Sequence, residues 1–235
     1  MPDLTYPSSD GELRAYVATP AGVGPWPGVV VIHEAFGLTD DIRAQADRFA
    51  AQGYLAFAPD LYSWGRASRC LIATFRTLFT GKGRALDDIA AARAFVAGRP
   101  DCSGRVGVIG FCLGGGLAVL VSPQGFDAAA PNYGEVPKDA AERLAGACPM
   151  VASYGGKDWT LRGRGERLEN ALQTLGIDHD VKVYPQAKHG FLFEHTAGKS
   201  RMFEPVMVSY DAESADDAWR RIFAFFDDKL KEPAA

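Results

Sequence analysis

What most constrains this chain is an alternation of short β-branched, apolar runs with longer stretches of helical periodicity. Val29-Val30-Val31-Ile32 is the clearest such run, preceded by the breaker-rich Gly22-Val23-Gly24-Pro25-Trp26-Pro27. A strand that is apolar on both faces belongs in a sheet covered by helices on each side, which is the habit of parallel sheets. The pattern predicts strands over Gly28–Ile32, Tyr54–Ala58, Arg105–Gly110, Asp127–Asn132, Pro149–Tyr154 and Val181–Tyr184. Helices are expected over Asp40–Ala51, with Asp40 as N-cap and Gly53 as the stop, and over Leu86–Ala97, Leu113–Val121, about Gly165–Leu175 and Ala212–Leu230. The stretch from Tyr62 to Gly83 reads as irregular with a helical part. Ahead of these, Leu4–Tyr6 and Leu13–Ala18 form an antiparallel pair about Ser9-Asp10-Gly11. The fold class is therefore α/β: a mostly parallel sheet with helices on both faces and an antiparallel N-terminal strand pair.

A chain of 235 residues, 47% of them hydrophobic and 23% charged, has material for one globular domain over residues 1–235 with a full core. Its net charge of −4 argues against a nucleic-acid partner. Its apolar runs are strand-sized and too short to span a bilayer. The opening Met1-Pro2-Asp3-Leu4 has neither the basic nor the apolar region of a secretory leader. Cys70, Cys102, Cys112 and Cys148 show no CxxC spacing. A cytoplasmic monomer with no metal, cofactor, nucleic-acid or membrane partner is expected.

In open parallel sheets, ligands bind beyond the carboxyl ends of the strands. Gly110-Phe111-Cys112-Leu113-Gly114 falls there, between a predicted strand and a predicted helix. It is the G-x-S-x-G turn with cysteine in place of serine. Small residues two places either side relieve a strained nucleophile, and the following helix N-terminus favours thiolate over thiol. Two plainer readings exist: a buried structural cysteine, or a phosphate loop, against which the missing lysine counts. A nucleophilic thiol needs a base and a group that orients the base. His189 lies in the loop after the last predicted strand. His179 precedes that strand at the opposite sheet end, His195 sits in a polar stretch, and His33 reads as a buried structural group. Asp158, in Gly155-Gly156-Lys157-Asp158-Trp159, lies in another carboxyl-end loop. The order Cys112, Asp158, His189 is nucleophile, acid, base. The first carboxyl-end loop, His33-Glu34-Ala35-Phe36-Gly37-Leu38, adds Glu34, and its Ala35 amide is expected to pair with that of Leu113 as an oxyanion hole.

These motifs, with Ala58-Pro59-Asp60-Leu61-Tyr62 and His189-Gly190-Phe191, resemble the dienelactone hydrolase family of α/β-hydrolases over nearly the whole chain. The resemblance implies a Cys112–His189–Asp158 triad, with Glu34 taking the proton of the resting thiol when substrate binds. It also implies hydrolysis of a small ester or lactone through a thioester on Cys112, without a cofactor. One departure stands out. Members of the family hold a substrate carboxylate with arginines, one of them shortly after the histidine; here Phe191-Leu192-Phe193-Glu194 follows, and no arginine occurs before Arg201. Arg69 and Arg76 lie in the irregular segment, and Arg76 is the substrate-binding candidate. Phe36, Tyr62, Trp64, Trp159 and Phe191 are candidate pocket walls or packing residues. Two other readings of the chain are a ligand-binding or sensory module that retains a hydrolase pocket, and a thiol redox protein using Cys112 with Cys70 or Cys148.

Overall fold

Side chains along a strand alternate between its two faces, so an unbroken apolar run must be covered twice. Val30 and Ile32 enter one core, shared with Phe57, Val108 and Met150, while Val29 and Val31 enter another with Ile109, Phe111 and Val151. The computed structural model describes residues 3–8, 10–194 and 209–231. Its strands are β1 (Asp3–Ser8), β2 (Gly11–Ala18), β3 (Trp26–Ile32), β4 (Leu55–Pro59), β5 (Cys102–Phe111), β6 (Ala128–Asn132), β7 (Met150–Gly155) and β8 (His179–Tyr184). The helices are α1 (Asp40–Ala51), α2 (Ala67–Thr80), α3 (Arg84–Ala97), α4 (Leu113–Val121), α5 (Ala140–Arg143), α6 (Arg164–Leu175) and α7 (Ala212–Leu230), with a 3-10 turn at Trp159–Leu161.

The strands form one sheet in the order β1-β2-β4-β3-β5-β6-β7-β8. Only β2 runs against the rest, pairing antiparallel with both β1 and β4. The remaining neighbours are parallel. Ile89, Leu117 and Leu168 from α3, α4 and α6 cover one face of the sheet. Phe49 of α1 and Trp219, Ile222 and Phe226 of α7 cover the other. The chain leaves β3 toward β4 on one side and later returns to β5 on the other. The crevice of this sheet therefore opens at the carboxyl ends of β3 and β5, where Ile32 lies beside Gly110.

Several boundaries move from those read in the sequence, each for a local reason. Thr39, not Asp40, caps α1, its hydroxyl accepting from the Ile42 amide at 3.5 Å. Asp40 is the first helical residue, where a negative charge suits the helix dipole. Strand β3 starts at Trp26, and a register shift between Trp26 and Gly28 accommodates Pro27, which has no amide for the ladder. The segment expected to be irregular contains the 14-residue helix α2. That helix lacks a side-chain N-cap and exposes Ile72, Phe75 and Phe79, so its apolar pattern marks no single buried face. Strand β8 begins at His179, which pairs with Met150 at the amino end of β7, away from the crevice. No helix among the described residues is long and apolar enough to cross a membrane.

Candidate active site

Cys112 stands between β5 and α4 with φ 56° and ψ −114°, a backbone region that side chains rarely adopt. Holding a non-glycine residue there costs of order 1–3 kcal/mol, which the surrounding turn must supply. The turn closes because Gly110 and Gly114 have no side chains. A Cβ on Gly110 would lie 2.0 Å from the Gly114 carbonyl oxygen, and one on Gly114 would lie 2.4 Å from that of Ile32. Cys112 is partly exposed, whereas Cys70, Cys102 and Cys148 are buried. Burial pushes the Cys148 thiol up to about 12. It raises the Cys70 and Cys102 thiols as well, so these three are packing groups at neutral pH.

The loops after β7 and β8 bring the next two groups together. His189 Nδ1 and Asp158 Oδ2 are 2.6 Å apart, with both side chains nearly buried. The other Asp158 oxygen caps the 3-10 turn, accepting from the Thr160 amide at 3.0 Å and the Thr160 hydroxyl at 2.5 Å. Burial works against ionisation of Asp158, but the bond from His189 and those from Thr160 prevail and keep its carboxyl below the usual range. Cys112 lies close enough for its charge to act on the His189 imidazole. Burial disfavours its imidazolium; the charge of Cys112 and the bond to Asp158 outweigh that and raise it to about 10. The structure thus pairs His189 with Asp158 within the electrostatic reach of Cys112.

Glu34 is buried in the loop after β3. The following amide, that of Ala35, and the amide of Leu113 at the first position of α4 donate to no acceptor among the described residues. Tyr62 donates its hydroxyl to the Ala35 carbonyl at 3.3 Å. Burial, then the charge of Cys112, keeps the Tyr62 phenol protonated. Ala35, Phe36, Tyr62, Ala67 and Leu71 line an open cleft of about 660 Å³ beside these groups.

The other candidates occupy different places. Trp64 is partly buried against the core that holds Val30 and Ile32, with the guanidinium groups of Arg69 and Arg84 5.5 and 4.7 Å from its ring. Trp159 follows Asp158 but is 73% exposed. Phe191 is fully buried against the rings of Tyr133 and Tyr184. Arg76 lies exposed on α2 without an ion pair among the described residues. His33 is buried at the carboxyl end of β3, and His179 hydrogen-bonds through Nδ1 with the Ile177 carbonyl. His195 and Arg201 lie outside the described residues. No group of three or more His, Cys, Asp or Glu side chains among the described residues is arranged to hold a metal.

Two groups went unremarked in the sequence. Tyr133, just after β6, has φ 37° and is fully buried, its ring 5.1 Å from that of His189. Burial, and after it the charges of Glu34 and Cys112, keeps its hydroxyl protonated; that hydroxyl has no hydrogen-bond partner among the described residues. Thr160 is the second. Tyr133 shares the carboxyl-end position of the other site residues, a signal available from the strand pattern alone.

This sheet order, with a strained cysteine turn at the crevice and an acid and a histidine in the last two carboxyl-end loops, defines an α/β-hydrolase. The sequence profile of the dienelactone hydrolase family matches residues 13–230, and the chain belongs to that family. A relative from Synechocystis sp. named "putative carboxymethylenebutenolidase" is 29% identical over 97% of this chain and 96% of its own length. Protein usf of Aquifex pyrophilus is 34% identical, covering 93% of this chain and 94% of its own. The crystal structure of P91, a dienelactone hydrolase-like promiscuous phosphotriesterase from metagenomic libraries, superposes with a TM-score of 0.83 over 97% of this chain and 98% of its own. At 22% identity that likeness speaks to the fold.

Proposed function

We propose that the protein hydrolyses small carboxylic esters or lactones by acyl transfer through Cys112. The observation that carries this reading is the 2.6 Å contact of buried Asp158 with His189, whose imidazole also feels the charge of the strained Cys112. In the first half-reaction the Cys112 thiolate attacks the carbonyl carbon and the carbonyl π pair moves to oxygen. The amides of Ala35 and Leu113 stabilise that oxyanion, an effect worth about 3 kcal/mol per donor in such sites. As the C–O bond breaks, the His189 imidazolium gives its proton to the departing alkoxide, leaving a thioester.

The thioester carries no charge, so the influence that most favours the His189 imidazolium vanishes with the thiolate. His189 is then a base. It takes a proton from water, the hydroxide adds to the thioester, and collapse expels the thiolate and releases the acid. The same charge change thus turns one imidazole from acid to base between the two half-reactions. Thiolate leaves more readily than an amine, which favours esters and lactones over amides, and the relatives' name points to lactones as well. The cleft beside Ala35 holds the part of the substrate away from the carbonyl.

The test is hydrolysis of p-nitrophenyl acetate and of lactones with and without a free carboxylate. Wild type should turn over, while Cys112→Ala and His189→Ala should each lose at least about 10²-fold in kcat without unfolding. Equal rates for wild type and Cys112→Ala would remove the nucleophile from the account.

A further inference from the structure

His33 makes two hydrogen bonds, and together they leave its imidazole one protonation state. The Leu61 amide donates to Nε2 at 3.2 Å, so that nitrogen carries a lone pair. Nδ1 must then hold the proton, which it donates to the Glu34 carbonyl at 2.6 Å. An imidazolium would set an N–H against the Leu61 amide. Burial acts in the same direction, lowering the His33 pKa. The acceptor matters because the Glu34 carbonyl and the Ala35 amide are two ends of one peptide unit. A trans peptide points its C=O and N–H in opposite directions, so fixing one aims the other. The Gly37 amide adds a weaker bond to the same carbonyl at 3.2 Å, and the Tyr62 ring packs edge-on against His33 with centroids 4.7 Å apart.

We infer that His33 is a positioning residue, a neutral imidazole whose Nδ1–H holds the Glu34–Ala35 peptide so that the Ala35 amide faces the developing oxyanion. This role rests on the hydrolytic reading above. It explains why a histidine sits fully enclosed in this loop with both ring nitrogens engaged in hydrogen bonds. It also ties the Leu61 loop after β4 to the aim of an amide after β3. Without the imidazole, the Glu34 carbonyl loses its shorter bond and keeps the weaker one from the Gly37 amide, so the peptide is less firmly aimed at the carbonyl oxygen.

The test compares His33→Phe, a ring of similar shape without polar atoms, with His33→Asn, whose amide nitrogen stands near Nδ1. Both are assayed on p-nitrophenyl acetate and, separately, for alkylation of Cys112 by iodoacetamide, a displacement that develops no oxyanion. His33→Phe should lower kcat on the order of 10- to 100-fold, with KM and the alkylation rate within about two-fold of wild type. His33→Asn should restore most of kcat. An active wild type matched by His33→Phe overturns the role of His33 alone. Parallel falls in hydrolysis and alkylation, unrelieved by asparagine, also overturn it, because general loosening of the site would move both. An inactive wild type overturns the hydrolytic reading and this role with it. Nitrogen-15 NMR of the wild-type ring checks the geometry even if the variants misfold: His33 should remain a neutral Nδ1–H tautomer through pH 6.5, and ordinary titration there would refute the inference.

Discussion

Replacing Cys112 with alanine removes the charge that most favours the His189 imidazolium. His189 titrates at about 10 against an ordinary 6.5, although its burial pulls the other way. The raising influences are the charge of Cys112 first, then the bond to Asp158. Two unit charges about 4 Å apart at an effective dielectric near 20 interact by about 4 kcal/mol, or about three pKa units. Cys112→Ala should therefore bring the His189 midpoint down toward about 7, with Asp158 holding it from falling further. The assay is the pH dependence of the His189 ring signals by NMR in both proteins. The sign has a stability counterpart. A raised His pKa stabilises the fold fully below 6.5, and that contribution is lost as pH climbs through about 10. In the alanine variant the loss should come at lower pH. Identical midpoints in the two proteins would refute the reasoning, because the cysteine would then exert no field on the imidazole.

Asp158→Asn should lower kcat on p-nitrophenyl acetate by roughly 10³- to 10⁴-fold with little change in KM, since an amide can hold the imidazole in the wrong tautomer. Because the Asp158 pKa is depressed, its ionised form stabilises the fold above pH 3.8, a contribution lost as pH falls through the depressed value and absent from the asparagine variant in acid unfolding. Gly110→Ala should cost at least about 1–3 kcal/mol in urea unfolding, because its Cβ meets backbone that cannot move aside. Phe191→Ala should cost about 3–5 kcal/mol, whereas exposed Trp159→Ala should change stability by less than about 0.5 kcal/mol. Similar values for the two would contradict their placement.

The legible parts of the fold are those where periodicity and punctuation agree. Helix α7 begins and ends where the sequence places it, because Asp211 caps it, accepting from Ser214 at 3.0 Å, and Ala215, Ala218, Trp219, Ile222 and Phe226 form one buried stripe. Helix α2 was obscured by apolar residues on its exposed face. The nearness of Asp158 to His189 followed from a topological rule, that carboxyl-end loops of neighbouring parallel strands converge. Residue type alone could not separate Phe191, in one core, and Trp64, packed against the other beside two arginines, from the walls of a cleft. Nor could it give His33 more than a buried place, since its role lies in the direction of a single peptide unit. The place of Tyr133 at a strand's carboxyl end was legible from the strand pattern, but its positive φ was not.

The most direct trial of the central claim is rapid-quench mass spectrometry of the protein mixed with p-nitrophenyl acetate. The account predicts a transient acetyl group on the peptide that contains Cys112, formed with the first burst of p-nitrophenol and accumulating when His189 is replaced by alanine after a slower acylation. Steady hydrolysis with no acyl group on that peptide, or with the acyl group on another residue, would contradict it.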